Sequence, residues 1–313
     1  MHLLIPFACA LSEPAAEVVR DLKLPTLANL LQRLTAGERD EGDEYTLSPP
    51  HERALARAWG WPRVDGGLPF AARAAATDGI DVADHAWGLL TPAHWDVGRD
   101  HVTLSDPQAL NLGEDESRVL FDAVRGLFES EGFALVWGGP ARWYASHESL
   151  ADQRCASLDR VIGRNVDLWL RGDAAAGAPN RLLRRLQSEV QLLLYPHPVN
   201  EAREARGDPT INSFWLSGCG RHRAADVAAV HVDLSLRTPL FMQDWAAWAE
   251  AWQALDAGPL SQFLAHIERG NDATLTLCGE RHAQAFVHRP QPLMKRLRQR
   301  WTAPQPATVL EAL

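Results

Sequence analysis

Short apolar runs closed by proline, glycine or a polar turn alternate with amphipathic stretches along most of this chain, and that alternation confines it to α/β architectures. The first run, HLLIPF at 2–7, reads as a buried strand. LPTLANLLQRL at 24–34 then sets Leu24, Leu27, Leu30, Leu31 and Leu34 on one helical face, with Pro25 in the first turn where its missing N–H goes unnoticed. SPPHERALARAWG at 48–60 repeats the device, with Ser48 placed as an N-cap and Gly60 as a stop. LPFAARAAA at 68–76 reads as a third helix and AWGLLTP at 86–92 as a strand. Further on, RLLRRLQSEVQLLLY, EAREARG, WAAWAEAW and PLSQFLAHIERG read as helices, while INSFWLSG, VAAVHVDL and ATLTLCG read as strands. The pattern predicts a mostly parallel sheet covered by helices on both faces, a three-layer α/β fold.

Between residues 93 and 150 the grammar changes. HVTLSDP, an acidic helix over EDESRVLFDAVRGLF, and the strands FALVWGG and RWYASH make a compact β-α-β-β unit. AAAGAP at 174–179 is the clearest linker. The expected organisation is a core of 1–92 and 175–313, with 93–174 as an inserted smaller α+β lobe and its linker.

A formal charge of −9 disfavours nucleic acid and anionic lipid as partners. The acidic run ERDEGDE at 38–44 reads as a solvated loop. The basic run KRLRQR at 295–300 is the local exception, and reads as a solvated helical face or a patch for a partner. Cys9, Cys155, Cys219 and Cys278 are widely spaced with no CxxC pair, so neither a zinc ribbon nor a disulfide framework is indicated. The opening MHLLIPFACALSEP lacks a basic stretch before its short apolar run, and no stretch of about 18 apolar residues occurs, so a cytoplasmic protein without a membrane span is expected.

Candidate chemistry is sparse. Trp245, Trp248 and Trp252 share a helical face, where packing is the nearer reading than a sugar or base platform. HExxH is absent, and the weaker metal-ligand candidates are the His231 and Asp233 pair and the His282 and His288 pair. No GxSxG elbow accompanies any serine. SGCGR at 217–221 follows a strand, where glycines let backbone N–H groups approach an anion and Arg221 could complete the site.

The segment HPVNEAREARGDPTINSFWLSGCG at 197–220 resembles the His-Pro, Asn, Arg and glycine-turn segment of the archaeal-type cofactor-independent phosphoglycerate mutases, which belong to the alkaline phosphatase superfamily. LPTLANLLQRL is similar to the superfamily's early Pro-Thr-Leu helix, and ATLTLCGERHA lies where its late strand and Asp-His-Gly turn fall. DEYTLSPPHERALARAWG, WGLLTPAHW and ASLDRVIGRNVDLWL also resemble a proteobacterial group labelled phosphoglycerate mutase or regulatory protein of the pathogenicity-factor E type.

The resemblance implies an alkaline phosphatase-like core, and its departures imply a lost metal centre. The first strand should end in Asp, but LLIPFACA offers Pro6, Phe7 and Ala8; the late turn offers Cys278, Gly279 and Glu280. The expectation is a degenerate, non-catalytic protein with a binding or regulatory role and no cofactor. Its site would be lined by His197, Asn200, Arg203, Gly218, Gly220 and Arg221, with Ser48 and His51 opposite, and would take a phosphorylated small molecule or a protein partner. The alternative is an active phosphomutase or phosphatase with Ser48 as nucleophile and two manganese or zinc ions held by Asp233, Glu280, His282 and His288. A third reading is a protein-interaction scaffold.

Overall fold

The structure, a computed structural model, describes residues 1–170, 178–225, 230–288 and 304–313. In chain order its strands are β1 (His2–Ile5), β2 (Thr35–Asp40), β3 (Ala86–Ala93), β4 (Trp95–Val97), β5 (Val102–Leu104), β6 (Ala134–Gly139), β7 (Arg142–Ser146), β8 (Ser213–Arg221), β9 (His231–Val232), β10 (Ala273–Cys278) and β11 (Ala283–His288). Two compact units divide the chain. One comprises 1–44, 49–60 and 225–313, the other 45–48 and 61–224.

The first unit is built on a five-stranded sheet in the order β2-β11-β10-β1-β9. β1 runs parallel to β10 and β9, whereas β11 runs antiparallel to both β10 and β2. The sheet is therefore mixed, not mostly parallel. The cause is the link from β10 to β11, closed by a Gly279 N–H to His282 carbonyl bond of 2.9 Å. Four turn residues leave no room for the crossover that a parallel pair needs.

Alternation assigns the faces of this sheet. Leu3, Ile5, Leu275, Leu277 and Phe286 join one buried cluster with Leu27, Leu30 and Leu31 of the helix Pro25–Arg33 and with Trp248, Trp252 and Phe263. Each such side chain contributes about 1.5–3 kcal/mol by leaving water. Trp248 and Trp252 are core residues in edge-to-face contact, their rings 6.3 Å apart. On the opposite face Leu4, Cys278 and Ala283 pack with Ala54 of the helix Pro50–Ala58.

The second unit carries an antiparallel sheet in the order β6-β7-β3-β8, with β4 and β5 forming a separate ribbon. Leu90, Trp143, Ala145 and Phe214 face the helices Glu114–Glu129 and Ala178–Leu194. Trp87 and Tyr144 face Ala71, Ala72 and Ala75 of the helix Phe70–Thr77.

The division of the chain differs from the one expected. The apolar character of 86–92 and 213–221 places them in the expected core, yet β3 pairs with both β7 and β8 in the sheet of the second unit. Periodicity shows that a segment is a strand, and only pairing shows which sheet it joins.

Among the elements that carried too weak an apolar signal to be read are the helix Glu13–Asp21, capped by Ser12 Oγ at 3.4 Å from the Ala15 N–H, and strands β2 and β11. Part of ERDEGDE lies in β2, and Asp40 is buried, which corrects the solvated-loop reading. Ser48 does not cap the helix Pro50–Ala58, whose N-cap is Pro49; the serine Oγ instead accepts the Gly66 N–H at 2.9 Å. KRLRQR at 295–300 and most of AAAGAP and VAAV lie outside the described residues. Among the described residues no helix is long and apolar enough to cross a membrane.

Candidate functional site

In the first unit one helix, Pro50–Ala58, packs through Ala54 on the Leu4 face of the sheet among the described residues, and it covers the part nearest Leu4, Cys278 and Ala283. Beside it on that face, among the described residues, is a groove of about 390 Å³. His2, Thr274, Thr276, Ala285 and Val287 line it, with Gly37 and Glu38 from β2 and Ala58 and Arg57 from the helix. Large apolar side chains are absent from this wall, in contrast to the leucines of the opposite face.

The polar groups of the groove are held in place. His2 Nε2 lies 2.8 Å from Thr276 Oγ1. Burial, then the N-terminal ammonium and Arg57, lower the His2 pKa to about 4, so the ring is neutral at physiological pH. Arg57 Nη2 donates to Asp40 Oδ2 at 3.0 Å, and its Nη1 pairs with Glu38 at 3.2 Å. Its Nε is buried and has no acceptor among the described residues. Arg53 Nε donates to the other Asp40 oxygen at 2.5 Å, so one buried carboxylate orients two guanidinium groups.

Around the carboxyl end of β1 stand several residues singled out from the sequence. Phe7 has φ 60, a left-handed conformation unusual for a bulky side chain, and its ring lies 5.0 Å from His51 and 5.4 Å from Phe241. Glu280 Oε2 accepts the Leu11 N–H at 3.0 Å, and Asp233 Oδ1 accepts the Ser235 N–H at 3.0 Å. His282 stays below the ordinary histidine range through burial and the nearby Arg39, Arg53 and Arg281. His288 is at the far end of β11, opposite Ala273, with Nδ1 3.1 Å from the Asn271 carbonyl. His288 is five residue steps along β11 from Ala283, roughly 16 Å. The ligand set Asp233, Glu280, His282 and His288 thus does not come together as two metal ions require. Among the described residues no three His, Cys, Asp or Glu side chains gather as a metal site.

In the second unit the 197–221 residues are built into the fold. His197 caps the helix Pro198–Arg206 by accepting the Val199 N–H at 3.2 Å. Asn200 is buried, donating to the Leu194 and Ile211 carbonyls and accepting the Ile211 N–H. Arg203 is bound by Glu116 and two backbone carbonyls. Arg221 pairs with Glu148 at 2.5 Å and donates to the Asp84 carbonyl. Gly218 (φ 65) lies in a bulge of β8 opposite Gly88, and a Cβ there would meet Ala71 N at 2.7 Å. Gly220 similarly faces Pro69 at 3.0 Å. The space read as an anion cradle is occupied by the helix Phe70–Thr77 and the residue before it. Nothing in the sequence flagged Asp40, Arg57 or the groove; the one available sign was a run of small and threonine residues on alternate positions of 274–287.

No family model and no curated protein matches the chain. Among solved structures, it is similar to the PH0037 protein of Pyrococcus horikoshii, with a TM-score of 0.46 and 12% identity, covering 99% of this chain and 95% of that one. It is similar also to the cofactor-independent phosphoglycerate mutase of Thermoplasma acidophilum, with a TM-score of 0.37 and 14% identity, covering 100% and 98% respectively.

Proposed function

We propose that this chain is a non-catalytic ligand-binding protein and that the groove beside His2 and Arg57 takes the ligand. The observation that carries the reading is the groove itself: about 390 Å³ on the sheet face beside the helix Pro50–Ala58, within the size range of small-molecule sites. Its small side chains leave room, while His2 and Thr276 offer fixed polar contacts and Arg57 brings a positive charge to the wall. A phosphorylated small molecule is the class to test first, since Arg57 brings a guanidinium to the wall. Ser48 supports a non-catalytic role. It is 2% exposed, and its hydroxyl accepts the Gly66 N–H.

Calorimetric titration with 3-phosphoglycerate, and separately with inorganic phosphate, tests the proposal. Saturable binding that Ala285→Leu abolishes is the expected result, because that change fills the groove without touching the Asp40 contacts. No heat with either ligand, or undiminished binding by the variant, sinks the groove as the site. Turnover of 3-phosphoglycerate with added manganese, lost in Ser48→Ala, overturns the non-catalytic reading.

A further inference from the structure

The glycine turn of β8 is a bulge, and the bulge decides which way Cys219 faces. Phe214 and Leu216 pack on the buried cluster of Leu90, Trp143 and Ala145, so unbroken alternation would turn residue 219 to the other face with Trp215 and Ser217. The pairing slips instead, with Trp87 opposite Gly220 but Leu89 opposite Ser217. One extra residue on β8 returns Cys219 to the face of Phe214, where it joins the cluster. Gly88 makes room across the bulge, since a Cβ there would stand 3.2 Å from Cys219 Sγ.

Cys155 packs on the same cluster, and its sulfur lies 3.6 Å from that of Cys219. Its segment is neither helix nor strand, and is held by the Cys155 N–H to the Gly66 carbonyl at 3.0 Å and by the Trp215 indole N–H to the Ala156 carbonyl at 2.9 Å. The two thiols differ in access. Cys219 is 1% exposed, whereas Cys155 is partly exposed. A reagent from solvent therefore meets Cys155 first, and the group it leaves there stands beside the buried thiol.

We infer that Cys155 and Cys219 are a hydroperoxide-responsive pair, with Cys155 the thiol that is oxidised and Cys219 the thiol that resolves it. The Cys155 sulfur attacks the terminal peroxide oxygen. An S–O bond forms, the O–O bond breaks, and the remaining oxygen takes the proton that the thiol gave up and leaves as water or an alcohol. The Cys219 sulfur then attacks Cys155 Sγ; the S–S bond forms, the S–O bond breaks, and the hydroxide leaves as water with the Cys219 proton. Two thiols lose two electrons and two protons, and the peroxide accepts both. A small hydroperoxide suits a thiol that is only partly exposed, whereas a bulky disulfide must bring two bonded sulfurs into line with it.

The test uses the full chain, reduced and then treated with hydrogen peroxide in the presence of dimedone, a trap for sulfenic acid, and read by peptide mass mapping. The parent should give the 155–219 cross-link, reversed by dithiothreitol. Cys219→Ala removes the second step, so dimedone should accumulate on Cys155. In Cys155→Ala, Cys219 should be modified at least about tenfold more slowly than the parent forms its cross-link. Oxidised glutathione at the same concentration should close the parent cross-link at least about tenfold more slowly than hydrogen peroxide. If circular dichroism shows that Cys219→Ala does not fold, the parent and Cys155→Ala decide the matter. An unreacted Cys155 or a trapped Cys155 without a cross-link in the folded parent overturns the inference, as does a Cys219 that reacts as fast alone. Equal rates with the two oxidants overturn the hydroperoxide as its class.

Discussion

Arg203 Nη1 lies 2.5 Å from Glu116 Oε2 with the arginine side chain 1% exposed, so a residue read from sequence as a phosphate ligand is an internal brace. Its Nε and Nη2 hold the Pro209 and Leu110 carbonyls at 2.7 and 2.5 Å. Removing Glu116 strands a buried cation, and Glu116→Ala is expected to cost about 3–5 kcal/mol. Arg206 shares the same carboxylate from an exposed position, and Arg206→Ala should change stability little. Urea unfolding of the two variants decides the matter: equal losses would mean that the buried guanidinium does not depend on Glu116.

Gly218 gives a second prediction. Its φ of 65 and the Ala71 backbone nitrogen 2.7 Å from where a Cβ would stand make the position closed to any side chain. Gly218→Ala should cost about 1–3 kcal/mol from backbone strain alone, with the collision adding to it. Gly60, with φ 73 and nothing within 4 Å, is the control, because Ala there meets only the strain. A melting temperature lowered no more by Gly218→Ala than by Gly60→Ala would show that the helix Phe70–Thr77 does not sit against the bulge.

The α/β class and most of the strands and helices were legible because a leucine at every third or fourth residue, or an apolar run cut by proline, has few other uses. Sheet membership was not. The strand of Trp87 and the strand of Leu4 look alike in sequence, and which neighbours complete their hydrogen bonds is settled by residues far away. Polar strands were invisible for a related reason: TAGERD is held in the sheet by pairing to β11 and by the Asp40 to Arg53 contact, neither of which leaves a periodic mark. The site residues of 197–221 share this difficulty, since a histidine cap, a buried arginine and a bulge glycine use the same residue types as a phosphate site.

Cys155 and Cys219 place their sulfurs 3.6 Å apart, and Cys155 is partly accessible while Cys219 is buried. Closing to the roughly 2.05 Å of a disulfide needs a small shift of the 153–156 segment against β8. Diamide, accepting two electrons and two protons, is expected to form this bond within one chain, seen as a mass lower by two hydrogens and a 155–219 cross-linked peptide. Cys9 and Cys278 should stay reduced, since burial raises both thiols, Cys9 to about 11, whereas Cys219, whose thiol is raised too, has the Cys155 sulfur beside it to attack. A cross-link involving either of those two, or no cross-link while the chain stays folded, would falsify the pairing.

His2 makes the groove sensitive to pH in a direction that can be worked out. Its pKa falls from 6.5 to about 4 on folding, chiefly through burial. Between those values the unfolded chain binds the proton and the folded chain does not, so stability from this residue is present above pH 6.5 and is lost as pH drops towards 4. The full shift corresponds to about 3 kcal/mol at about 1.36 kcal/mol per unit, and solvent screening of a partly exposed ring reduces it to about 1–2 kcal/mol. His2→Gln keeps a polar contact to Thr276 Oγ1 and removes the titration. Urea unfolding of the two proteins from pH 7 to 4 should therefore show the parent losing about 1–2 kcal/mol more stability than the variant. Parallel curves would mean that the imidazole is solvated in the folded chain, and that the groove wall at Thr276 is wetter than the 2.8 Å contact implies.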